Sequence, residues 1–136
     1  MAGEIILVVD DYEANLRLIR LLLTQRGYDV RTAGDAEQAL AALRSFQPAL
    51  ILMDIQLPGM DGLELTRRLK ADPATRSLIV IAFSACILPV DLEGFQAAGC
   101  SGHISKPFDT RTLASQIRQC LQAGGSALRP PSVPSA

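Results

Sequence analysis

Five residues able to do chemistry follow short apolar runs. Residues 5–9, IILVV, are closed by Asp10 and Asp11. Residues 50–53, LILM, are closed by Asp54, residues 78–83, LIVIAF, by Ser84, and residues 102–105, GHIS, by Lys106. Continuous apolar runs of this kind fit strands buried on both faces, as in a parallel sheet beneath helices. In open sheets of that class ligands bind beyond the carboxyl ends of the strands. The acids, the hydroxyl and the amine would then meet at one edge. Three carboxylates at one spot raise one another's pKa unless a cation joins them. A hard divalent ion with oxygen ligands answers that need. Mg²⁺ suits a small carboxylate set, because it keeps several waters and is completed by phosphate oxygens. Lys106 supplies a point charge for a carboxylate or a phosphoryl oxygen, and Ser84 a hydroxyl for the same oxygen. The set is suited to phosphoryl transfer onto a carboxylate, Asp54, with the metal and the lysine neutralising the spreading charge.

Each residue alone has a plainer reading. An acid at a strand end is commonly a helix cap or turn residue, and Asp10 can cap the first helix. Lys106 can be a solvated surface charge, and Ser84 an ordinary hydroxyl. Pro58 and Gly59 read as turn chemistry, and Phe83 and Phe108 as core. Only the joint placement of the polar residues carries the chemical reading.

The elements that must position them alternate. A strand over 4–9 precedes a helix over 13–26, whose apolar stripe is Leu16, Ile19, Leu22 and Leu23 and which Gly27 stops. A short strand over 28–33 follows. A second helix has Asp35 and Gln38 in a capping box and ends before Pro48. After the Asp54 strand, Asp61 and Glu64 cap a third helix, lined by Leu63, Leu65 and Leu69 and stopped near Asp72-Pro73. The strand over 78–83 leads to the weakest helix, 89–98, with Leu92 and Phe95 inward. A strand over 102–105 then precedes a helix capped by Asp109, with Leu113, Ile117 and Leu121 as its stripe and Gly124-Gly125 at its end. Five strand–helix repeats imply a parallel α/β sheet with helices on both faces. The remainder is a Ser/Pro/Ala-rich tail expected to be disordered. The domain reading is therefore 1–124 for the folded unit and 125–136 for the tail.

Composition excludes several classes. The chain has 136 residues, one domain's worth, with 49% hydrophobic and 20% charged residues. A net charge of −1 argues against a nucleic-acid surface, which would carry a basic patch. No apolar run approaches the ~18 residues of a membrane span, and the N-terminus does not read as a signal peptide. Cys86, Cys100 and Cys120 are odd in number and lack CxxC spacing, as expected of free thiols in a reducing cytoplasm. No GxGxxG or GxxxxGK[ST] loop is present.

Residues 4–122 resemble a bacterial response-regulator receiver domain, similar in layout to the single-domain chemotaxis regulator. The resemblance rests on VVDD at 8–11, MDIQLPGMDG at 53–62, Phe83-Ser84-Ala85 and Ser105-Lys106-Pro107-Phe108. Each is weak alone; all four in order over nearly the whole chain are specific. The resemblance implies a flavodoxin-like receiver fold, a doubly wound five-stranded parallel sheet of order 2-1-3-4-5, with two helices on one face and three on the other. It implies that Asp54 receives a phosphoryl group from a sensor histidine kinase or a histidine phosphotransfer protein. Asp11, Asp54 and the main-chain carbonyl of Gln56 would bind Mg²⁺ directly, and Asp10 mostly through water. Lys106 would contact the phosphoryl group. Ser84 would bond to it and shift the following loop. The Lys106-Pro107 bond would be cis.

Two positions depart from or refine the pattern. His103 stands where the family often has Tyr or Phe, a side chain that swings as Ser84 moves. It is read either as such a switch or as a plain surface histidine that charges near neutral pH. Gln56, two residues past Asp54, should tune the lifetime of the phosphoryl group.

The leading expectation is thus a cytoplasmic phosphorylation switch, centred on residues 84–106. Its output would be protein contact on the face of the fourth helix, fifth strand and fifth helix. With Met1 at the start and a short tail, the sequence reads as a free-standing regulator without a DNA-binding or catalytic domain. The rival is a Mg²⁺-dependent aspartyl-phosphate phosphatase or phosphotransferase. That chemistry often places an acid two residues beyond the nucleophile, where this chain has Gln56. A flavin-binding electron carrier fails for want of a phosphate loop and of aromatics, there being no Trp.

Overall fold

The computed structural model describes residues 3–57, 59–85, 89–106 and 108–123. These form β1 (Ile5–Val9), α1 (Glu13–Thr24), β2 (Asp29–Ala33), α2 (Ala36–Leu43), β3 (Leu50–Asp54), α3 (Gly62–Ala71), β4 (Ile79–Ala85), α4 (Pro89–Ala98), β5 (Gly102–Lys106) and α5 (Leu113–Ala123). The strands pair in parallel in the order β2-β1-β3-β4-β5, as the resemblance implied. The turn at Pro58, Cys86 and the loop through 88, the Lys106-Pro107 bond and the tail lie outside the described residues.

The period-two alternation of the strands builds two cores. Ile6, Val8, Leu50, Leu52, Ile81, Phe83 and Ile104 face Ile19 and Leu23 of α1 and Leu113 and Ile117 of α5. Leu7, Val9, Ile51, Met53, Val80 and Ala82 face Ala36, Ala39, Leu65, Leu69 and Phe95 of α2, α3 and α4. Each large side chain so buried contributes roughly 1.5–3 kcal/mol of transfer free energy. Strand β3 is buried at all five positions, which is why its first four residues are an apolar run; the fifth is Asp54.

Element ends differ from the sequence reading where local hydrogen bonds compete. Helix α1 stops at Thr24 rather than 26, because the amide of Gly27 turns back to the Thr24 carbonyl at 2.9 Å and that of Tyr28 to Leu23 at 3.2 Å. Strand β4 starts one residue later and runs past Ser84 to Ala85, so Ser84 is its penultimate residue. Strand β5 reaches Lys106. Asp35 caps α2 through the Gln38 amide at 2.8 Å, but the Gln38 side chain accepts from the amide of Gly34. Asp109 does not abut α5; it organises the preceding turn through the Arg111 amide at 2.8 Å.

Candidate functional site

Parallel pairing puts the ends of β1, β3 and β5 on one edge of the sheet. Asp10 follows Val9, the register partner of Met53, so it lies level with Asp54. Asp54 is the partner of Phe83 in β4, and Lys106 that of Ala85. The result is a tight cluster. One carboxylate oxygen from each of Asp10, Asp11 and Asp54 lies within 4.8 Å of the others. The Nζ of Lys106 is 3.1 Å from Asp54 Oδ1 and 3.4 Å from Asp10 Oδ2.

Asp10 and Asp54 are buried and Asp11 is exposed. Two buried carboxylates need donors. Asp10 accepts from the Tyr12 amide at 2.8 Å and from Asn15 Nδ2 at 3.2 Å. It is therefore not the cap of α1: that position belongs to Tyr12, whose side chain makes no capping bond. Asp54 Oδ1 accepts from the Gln56 amide at 3.0 Å. Burial pushes the pKa of Asp54 up and the charge of Asp10 adds to this, while the Gln56 amide and Lys106 pull it down. Among the described residues the corner holds three carboxylates against one cation, Lys106, and the carboxylates offer hard oxygens. That set fits a divalent ion such as Mg²⁺.

Other groups complete the surroundings. Lys106 Nζ also sits 4.9 Å from the centre of the Phe83 ring, a cation–π contact, and Phe83 packs on Phe108 at 5.7 Å. Ser84 lies next to the last residue of β4, near the same edge. It shares the sheet face of Ala82 and lines a cavity of about 330 Å³ with Gln56, Leu63, Asp91, Gly94 and Phe95. Gln56 is exposed, and what it presents to Asp54 is its amide. His103 pairs with Ala82 on the same face as Ser84, and its side chain is exposed; desolvation holds its imidazole below the ordinary pKa. Cys100 and Cys120 are free and buried, as expected.

Three contributors were not anticipated. Asn15, in the first turn of α1 five residues beyond Asp10, carries no spacing signal that would have suggested it. Phe83 as a platform for Lys106 depends on pairing between β4 and β5 and leaves no sequence signal. Gly62 had only its place in the 53–62 motif.

Residues 6–118 match the response regulator receiver domain family. The chain is 42% identical over 114 residues to the response regulator PleD of Caulobacter vibrioides, covering 83% of this chain and 25% of that protein. It is 38% identical over 116 residues to the polar-differentiation response regulator DivK of Brucella anthropi, covering 85% of this chain and 94% of that one. The chain thus spans about a quarter of one relative's length and nearly all of the other's. The chemotaxis response regulator CheY4 of Vibrio cholerae superposes with a TM-score of 0.83 at 24% identity over 88% of this chain and 99% of that one, a likeness of fold. The chain belongs to the response regulator receiver domain family, whose members act in two-component signalling. Among the described residues no helix is long and apolar enough to cross a membrane.

Proposed function

We propose that Asp54 accepts a phosphoryl group from the phosphohistidine of a sensor histidine kinase or a histidine phosphotransfer protein. Asp10, Asp11, Asp54 and the main-chain carbonyl of Gln56 would hold Mg²⁺. The observation that carries this reading is Lys106, the one cation at the corner among the described residues, bridging two buried carboxylates beside a third. Such a corner is short of positive charge until a metal arrives and ready for the charge of a phosphoryl group once it has.

The bound ion would draw charge from the phosphoryl oxygens. Asp54 Oδ1 is engaged by the Gln56 amide and Lys106, which leaves Oδ2 to attack. As the Oδ2–P bond forms, the P–N bond to the donor imidazole breaks and its nitrogen keeps the electron pair. Lys106 stays protonated and neutralises the transferred oxygens. Ser84, in the wall of the neighbouring cavity, turns to the new acceptor and draws the start of α4 with it, biasing a two-state element. His103, on the same face, follows that movement. The α4–β5–α5 face then contacts a downstream protein in the cytoplasm, and the chain's own chemistry is limited to accepting and shedding the phosphoryl group. The receiver unit is residues 1–124.

Incubation with acetyl phosphate and Mg²⁺ should give one hydroxylamine-labile phosphoryl adduct by intact mass, absent in Asp54→Asn and absent with a chelator. An adduct that persists in Asp54→Asn, or steady turnover of a phosphate ester, would overturn the reading.

A further inference from the structure

Gly62 opens α3 directly against the backbone that carries Asp54. A Cβ at this position would overlap the carbonyl oxygen of Asp54 and lie 2.9 Å from both its carbonyl carbon and the Cα of Ile55. Non-bonded heavy atoms rest at roughly 3.5 Å or more, and backbone cannot swing aside as a side chain can. The Gly62 amide also donates to the Ile55 carbonyl at 2.8 Å, and the Ile55 amide to the Phe83 carbonyl at 3.2 Å. The next amide, Gln56, is the one on the Asp54 carboxylate. Helix α3, the 55–56 turn and the carboxylate therefore form one chain of short contacts, closed by the absence of a side chain at residue 62.

We propose that Gly62 is a positioning residue for Asp54: its lack of a Cβ lets α3 seat the 55–56 turn so that the Gln56 amide fixes the carboxylate. The proposal rests on Asp54 as acceptor and metal ligand, and deepens that reading. A displacement of about 1 Å at a reacting group can cost about 100-fold in rate, and loss of an orienting contact about 10–100-fold in metal affinity.

The test compares Gly62→Ala with Gly99→Ala. Gly99 ends α4 at φ +106°, where a Cβ would meet Lys70 Cγ at 2.5 Å, so that variant is strained as well but at the far end of α3. Three quantities are read: exchange protection of the Gln56 amide without metal, Mg²⁺ affinity by calorimetry, and the acetyl phosphate rate. Gly62→Ala should lose protection at Gln56, bind Mg²⁺ about 10-fold more weakly and react about 100-fold more slowly. Gly99→Ala should match the parent in all three. If Gly62→Ala is too unstable, the same comparison is made with Gly94→Ala added to both, a change with open space around it. Parent-like values in Gly62→Ala, or equal losses in Gly99→Ala, would overturn the proposal. A parent that is never phosphorylated would instead defeat the phosphoacceptor reading, leaving amide protection to decide on Gly62.

Discussion

Helices α3 and α4 lie together on one face of the sheet, and each carries a glycine, with opposite meanings. In α3 the glycine is demanded by a backbone contact, and everything else fastens the helix down. Asp61 accepts from the Glu64 amide at 2.8 Å, and Leu65, Thr66 and Leu69 are buried. The Thr66 hydroxyl donates to the Gly62 carbonyl at 2.7 Å, and Lys70 Nζ to the Arg76 carbonyl at 3.0 Å. Among the described residues of α4 only Phe95 and Ala98 are buried, Val90 is 65% exposed, and no described atom stands within 4 Å of where a Gly94 side chain would begin. A mid-helix glycine costs roughly 0.5–1 kcal/mol against alanine, and here no close contact requires it. The lesson is a division of labour. The helix packed against the backbone of Asp54 is held by many contacts, while its neighbour, beside Ser84, buries fewer side chains, a pattern expected to give lower local stability.

The sharpest way to break this contrast is Leu65→Ala. It should cost about 2–5 kcal/mol by urea denaturation. In the parent, the Leu65 and Leu69 amides should exchange only through global unfolding, while those of α4 open at lower free energy. Equal protection of the two helices would end the comparison. Next in size, Asp61→Ala should cost about 1 kcal/mol through loss of the α3 cap, measured the same way. Smaller and opposite in sign, Gly94→Ala should stabilise by about 0.4–1 kcal/mol and slow exchange in α4; destabilisation there would mean that the glycine is needed.

The last expectation concerns pH in metal-free protein. Burial holds the Asp54 pKa above its ordinary 3.8, so the folded state binds that proton more tightly than the unfolded chain. Stability from this group therefore falls as pH rises from the unfolded value through the raised one, and is level above it. The advantage of Asp54→Asn over the parent should grow across that window and then plateau, whereas that of Gly94→Ala should stay flat. Urea midpoints across the acid range, with chelator present, would show it; a flat Asp54→Asn difference would contradict the raised pKa.

Much of this was legible in the chain. The apolar runs marked the strands because both faces of each central strand are covered, and the acids stood out because burial did not need them. Legibility failed where partners are distant or compete locally. Phe83 read only as core in the sequence, yet pairing between β4 and β5 sets Lys106 over its ring. Asp10 read as one of the clustered acids, with a cap of α1 as its plainer alternative, and only the fold shows Asn15 and Lys106 at its oxygens.

The sequence by itself determined the alternation of elements, the two-faced core and which polar groups stand at the strand ends. Hydrophobic period and capping chemistry are local, and a few neighbouring residues suffice to state them. Only the tertiary structure decided which groups share a corner, that Lys106 answers two carboxylates at once, and that residue 62 must be glycine. Those facts depend on the register between strands far apart in the chain and on contacts of a few ångströms that no spacing encodes.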